Sequence, residues 1–164
     1  MPDRPAFAPG YALGAGGADP GALVPWEELR GWAEAARNYW VVTAGADGHP
    51  HAMPVWGLWL DDRFLFSTDP GSRKGRNMAA NPEVVVHLES GDDVLVVEGS
   101  AERVTDAGLL ARMVDLYERK YDIRIETGDP SMGVYRVLPR VAFGWREQSF
   151  QDSATRWRFS SGTA

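Results

Sequence analysis

From Tyr39 to Arg103 the apolar residues recur with a period near two, and clusters of Gly and Asp break the pattern every few residues. Strands of this length joined by tight turns must pair as antiparallel neighbours. Gly45-Ala46-Asp47-Gly48, Asp61-Asp62 and Ser90-Gly91-Asp92-Asp93 are the turns. With the later Asn81-Pro82 break, they separate strands predicted over 39–44, 51–60, 63–68, 83–89 and 94–103. In strand 51–60, Met53, Val55, Gly57 and Trp59 alternate with Pro54, Trp56, Leu58 and Leu60. Both faces are apolar, so neither is expected to meet bulk water. Further strands are predicted over 134–139, 140–147 and 154–159, which points to a barrel or sandwich instead of a parallel doubly wound sheet.

Helices interrupt this β-rich chain. Pro25 suits the first turn of a helix over 25–37, Glu27 and Glu28 complement its positive end, and Arg37 lies near its negative end. A short helix from Arg73 to about Ala80 must stop before Asn81-Pro82, because a residue preceding proline disfavours helix. Thr105 reads as the N-cap of a longer helix over 106–121, with Leu109, Leu110, Met113, Val114, Leu116 and Tyr117 as its apolar stripe. Residues 1–24, rich in Pro, Gly and Ala, read as a flexible arm, which leaves one domain over 25–160.

The net charge of −6 opposes nucleic-acid binding, which usually draws on an excess of Lys and Arg. No apolar run approaches the roughly 20 residues that span a bilayer, so no membrane partner is expected. Residues 1–9 lack the charged start and apolar block of a signal peptide, and there is no cysteine. Together these suggest a cytoplasmic location. His49 and His51 are spaced to share a strand face, but two histidines beside a turn fit surface residues better than a zinc site, and no metal is expected.

The segment richest in chemistry is Phe66-Ser67-Thr68-Asp69-Pro70-Gly71-Ser72-Arg73-Lys74-Gly75-Arg76-Asn77. A strand delivers the chain to a Pro-Gly turn, Ser72 is a good N-cap, and three cations follow in the first turn and a half of a helix. Cations there oppose the helix dipole, so local propensity is sacrificed. A bound phosphate would reverse the sign, since helix N–H groups, Arg73 and Lys74 would all bond to it. The same residues are also compatible with a solvated basic helix end paired to Asp69 or a nearby Glu.

Phe66-Ser67-Thr68 through Ser72-Arg73-Lys74-Gly75, then Asn81-Pro82, then Val96-Val97-Glu98-Gly99, resembles the pyridoxamine-phosphate-oxidase-like family of flavin-binding split barrels. The resemblance is good over residues 38–105 and looser in the C-terminal third. It implies a mainly β chain with helices, an antiparallel split β-barrel of the FMN-binding type. It also implies a homodimer with the flavin in a groove between subunits, and a flavin-dependent redox reaction on a small organic substrate. Carried over, Thr68 and Ser72 would bond to the FMN phosphate, Arg73 and Lys74 would supply charge, and Ser67 would contact it partly through backbone. Val55, Trp56 and Gly57 would run beside the ring, with Asn77 in the same cofactor set. Trp56 is equally compatible with core packing, and Trp157 with covering the flavin or packing at an interface. No catalytic side chain is singled out.

Two departures limit the resemblance. Val94 and Val96 stand where the authentic oxidase has a Gln and an Arg that help hold FMN. The oxidase's substrate-holding Arg and His pattern is not found in Ala154-Thr155-Arg156-Trp157-Arg158-Phe159. Both argue against oxidation of pyridoxamine phosphate itself. A deazaflavin-dependent reductase and a non-catalytic flavin-binding or storage protein are the alternatives.

Overall fold

The structure, a computed structural model, describes residues 2–5, 23–129 and 131–160. Its elements are β1 (Pro2–Asp3), α1 (Trp26–Ala35), β2 (Tyr39–Ala44), β3 (Pro50–Val55), β4 (Gly57–Leu60), β5 (Arg63–Thr68) and α2 (Arg73–Ala80). After these come β6 (Glu83–His87), β7 (Asp93–Arg103), α3 (Ala107–Tyr121) and β8 (Gly133–Arg146). A 3₁₀ turn, Glu147–Ser149, leads into α4 (Phe150–Ser153) and then β9 (Thr155–Arg158).

Every pairing is antiparallel, and the strand order is β1-β9-β8-β7-β6-β2-β3. A branch leaves β8, whose first residues pair with β5, and β5 pairs with β4. β3 and β4 therefore lie at opposite ends of the ladder, yet only Trp56 separates them in the chain. The hydrogen-bonded sheet does not close, and the covalent chain bridges the gap. This is an antiparallel split barrel, as the resemblance implied, and one of the two classes, barrel or sandwich, that the strand pattern had left open.

The strand predicted over 51–60 is in fact two strands. Val55 pairs with Tyr39 of β2, while Gly57 pairs with Phe66 of β5, so the run changes partners at Trp56. Gly57, Leu58 and Trp59 are buried, but Ala52, Met53 and Pro54 are exposed, Met53 by 45%. The expectation that neither face meets water holds for β4 and fails for β3. Conversely, the two strands predicted around Pro139 are one. β8 runs through it, with Arg140 as an extra residue where the β7 register shifts between Glu98 and Gly99. Pro139 is tolerated because β5 pairing ends at Val137 and β9 pairing begins at Val141.

Two apolar clusters hold these strands. The larger fills the barrel with Tyr39, Val41, Phe64, Phe66, Val84, Val86, Leu95, Val97 and Val137, and α1 covers it with Trp26, Leu29 and Ala33. The smaller seats Met113, Tyr117 and Tyr121 of α3 on Leu58, Leu65 and Val134. Fully burying a large apolar side chain contributes about 1.5–3 kcal/mol. The N-cap of α3 is Asp106, not Thr105: its carboxylate accepts the Leu109 N–H at 2.7 Å.

Most of the arm predicted over 1–24 (residue 1 and residues 6–22) lies outside the described residues. Its described ends are held to the sheet. Pro2–Asp3 pairs with β9, Asp3 forms ion pairs with Arg156 and Arg158, and fully buried Val24 donates its N–H to Thr155.

Candidate functional site

The β4–β5 ladder ends at the Gly57–Phe66 pair. One residue further on, Ser67 and Thr68 continue along β8, opposite Val134 and Gly133, while β3 has left to pair with β2. Ser67 and Thr68 thus have no β4 partner, and the ladder splits beside them. Asn77 of α2, itself buried, donates its side-chain N–H to Thr43 of β2 at 3.0 Å.

The turn between β5 and α2 is built by local bonds. Asp69 accepts the Gly71 N–H on its carboxylate at 2.7 Å and the Ser72 N–H on its carbonyl at 2.9 Å. Ser72 caps α2 by accepting the Gly75 N–H at 3.1 Å, and its hydroxyl lies 3.3 Å from that of buried Thr68. The Arg76 guanidinium donates back to the Gly71 carbonyl. Gly75 makes this closure possible: a Cβ there would lie 2.5 Å from the Pro70 carbonyl oxygen and 2.6 Å from that of Asp69.

Two cations remain. Arg73 is exposed and within electrostatic reach of Asp47 on the β2–β3 hairpin, which helps lower the Asp47 pKa after the larger effect of the His49 N–H. Lys74 is half-buried, and burial alone pushes its pKa down. It has no hydrogen bond or ion pair among the described residues. The first turn of α2 holds no acidic residue. Two hydroxyls, a capped helix N-terminus, the Arg73 guanidinium and the Lys74 ammonium thus fall within residues 68–74, a donor set that suits a phosphate.

The remaining predicted residues divide. Val55 packs against the larger cluster. Trp56 stacks on Tyr121, with centroids 4.8 Å apart and planes 7° from parallel, and the Arg37 guanidinium lies 5.2 Å from its ring centroid. The side of Gly57 that lacks a Cβ faces the core, where a Cβ would lie 2.5 Å from the Phe64 ring. Asn77 ties α2 to β2, its amide N–H engaged by Thr43. Trp157 is not brought to the turn. It pairs with Ala142 while Thr68 pairs with Gly133, a separation of roughly 25–30 Å along β8. Its indole N–H donates to Val24 at 3.2 Å and its ring lies 6.1 Å from Trp26, so it packs beside α1.

Lys120 and Tyr121 escaped the sequence reading. The α3 stripe continues from Tyr117 by three and four residues onto Lys120 and Tyr121, so a lysine falls on the buried face, and that was the available signal. Burial pushes the Lys120 ammonium down to about 8.

Comparison with known proteins agrees with this architecture. A pyridoxine/pyridoxamine 5'-phosphate oxidase of Cupriavidus taiwanensis is 34% identical over 83% of this chain and 82% of its own length. One from Azorhizobium caulinodans is 43% identical over 41% of this chain, a match spanning 33% of that relative. Among solved structures, a conserved hypothetical protein of Mycobacterium tuberculosis superposes with a TM-score of 0.69 over 90% of this chain and 98% of its own, at 21% identity. An F420 reductase superposes with a TM-score of 0.56 over 69% of this chain and 94% of its own, also at 21% identity. The heme storage protein of Vibrio cholerae does so at 0.58 over 70% and 89%, at 16% identity. At these identities the structural matches speak for the fold alone. The family model described as pyridoxamine 5'-phosphate oxidase matches residues 25–146, and the chain belongs to that family.

Proposed function

We propose that this protein is a flavin-dependent oxidoreductase that holds the phosphate of FMN at the Ser72-Arg73-Lys74 turn and acts on a small organic substrate. The observation that carries this reading is Lys74, a half-buried ammonium with no counter-charge among the described residues, at a capped helix N-terminus. An anion bound there would offset the desolvation that half-burial imposes on the ammonium. FMN fits this donor set. When bound it would supply the redox chemistry, and the protein's part would be to orient and shield it. Ser72 and Thr68 would donate hydroxyl hydrogens to phosphate oxygens, and Arg73 and Lys74 would neutralise their charge. Ser67 would add contacts at the rim of the cleft.

A second reading, a deazaflavin-dependent reductase, is favoured by Val94 and Val96. Val94 is buried opposite Trp145, and Val96 lies between His87 and Phe143, so neither offers a polar group to FMN. A flavin-binding protein without turnover would need only the phosphate site. The spectrum and mass of the small molecule that co-purifies separate these readings, with an oxidised-flavin spectrum supporting FMN. Arg73→Ala with Lys74→Ala is expected to weaken FMN binding by several kcal/mol with an unchanged melting curve, at about 1.5–3 kcal/mol per charge-assisted bond. Wild-type affinity in that double variant would refute the phosphate assignment.

We also infer a homodimer. Trp40, Val42, Val85, Val96, Val141 and Phe143 share the outer face of β2, β6, β7 and β8 and belong to neither core cluster. No helix among the described residues is long and apolar enough to cross a membrane.

A further inference from the structure

The point where the barrel opens is gripped by the end of α3. Tyr121 accepts the Gly57 N–H at 3.0 Å, and its hydroxyl lies 2.8 Å from the Gly57 carbonyl oxygen and 2.7 Å from that of Arg37. Lys120 donates to the Tyr39 hydroxyl at 2.8 Å and reaches the carbonyls of Gly57 and Glu34 at 3.3 Å each. Its ammonium also lies 4.9 Å from the Tyr39 ring centroid and 5.4 Å from that of Tyr121. Tyr39 in turn donates to the Ala33 carbonyl at 2.5 Å. Four segments therefore meet on two adjacent residues: the end of α1, the start of β2, the β3–β4 joint and α3.

Packing alone does not call for this arrangement. A methionine would fill the place of Lys120 without burying a cation. The ammonium is retained with three acceptors and two ring faces directed at it, which fixes a geometry as well as a volume. The Gly57 peptide stands next to Trp56, the residue at which β3 departs from β5. Holding that peptide would fix the angle between β3 and β4, and with it the placement of Val55 and Trp56.

We propose that Lys120 and Tyr121 are positioning residues for the cleft, which they serve by fixing the Gly57 peptide. The inference rests on the reading of the cleft as the cofactor site. Tyr121→Phe removes the hydroxyl and keeps the stack on Trp56, Lys120→Met removes charge and donors, and Lys120→Arg restores both. In Tyr121→Phe, which removes the acceptor of the Gly57 N–H, amide exchange at Gly57 is expected to accelerate about tenfold, whereas Lys120→Met removes only a donor to the Gly57 carbonyl and leaves that N–H bonded. The same two variants should bind FMN about tenfold more weakly, with displaced visible absorption and circular dichroism bands. Inorganic phosphate binding should stay at its wild-type value in both, and Lys120→Arg should recover the wild-type FMN spectrum.

Faster exchange at Gly57 with wild-type FMN affinity and spectrum would overturn the positioning role while leaving the phosphate site intact. Wild-type protein that binds neither FMN nor F420 would remove the cofactor reading and this inference with it. Should either variant fail to fold, the other, compared with Lys120→Arg, decides the matter.

Discussion

At Gly75 the absence of a side chain does as much as any functional group near it. The turn over residues 69–72 folds back on the first turn of α2, and the carbonyls of Asp69 and Pro70 occupy the space a Cβ would need. Both are backbone atoms, so relief requires the turn itself to move. Gly75→Ala is therefore expected to destabilise the protein by about 1–3 kcal/mol despite the better helix propensity of alanine. The turn should also lose phosphate affinity, and urea unfolding with phosphate titration checks both effects. Lys74, one residue earlier, shows the complementary case: the sequence exposed its charge and position, but only burial without a partner gave it meaning.

Among the elements, α2 is short and poorly supported by its own sequence, with cations at the wrong end. Its hold on the barrel comes from Met78, buried in the larger cluster, and from the Asn77–Thr43 bond, made between two buried side chains. Asn77→Ala leaves the Thr43 hydroxyl without that donor and is expected to cost about 1–3 kcal/mol. Thr43→Val in the same background should recover part of the loss, because the stranded polar group is then gone. A double-mutant cycle by chemical denaturation measures the coupling, and simple additivity of the two losses would contradict the tie. β3 is the opposite kind of element: its sequence reads as buried, yet Ala52, Met53 and Pro54 lie exposed on a strand that pairs only with β2, since the chain joins β5 only from Gly57 on.

For the whole molecule, the open question is what covers the outer sheet face. The cross-strand row Trp40, His87, Val96 and Phe143 runs beside Val42, Val85, Glu98 and Val141, and such a face is a natural seat for a second copy. Val42→Lys sits across from Val85 on a half-buried, outward-facing position, so the single chain should tolerate it. Sedimentation is expected to show a dimer for the wild type and a monomer for this variant with an unchanged circular dichroism spectrum. A wild-type monomer at high concentration would refute the self-association.

The local elements around the candidate site were legible in the sequence. The end of β5 at Thr68, the cap at Ser72, the cations after it and the stop of α2 at Ala80 are all local events, set by turn chemistry and helix-end rules within about a dozen residues. Local chemistry alone thus sets the strand period, the turns and the capped, cation-bearing start of α2. Long-range pairing, by contrast, divides 51–60 at Trp56, turns Asn77 to Thr43, packs Trp157 beside α1, and brings Lys120 and Tyr121 to Gly57. Those facts depend on which strand pairs with which across dozens of residues. Periodicity records that a residue has an apolar face but not which neighbour will cover it.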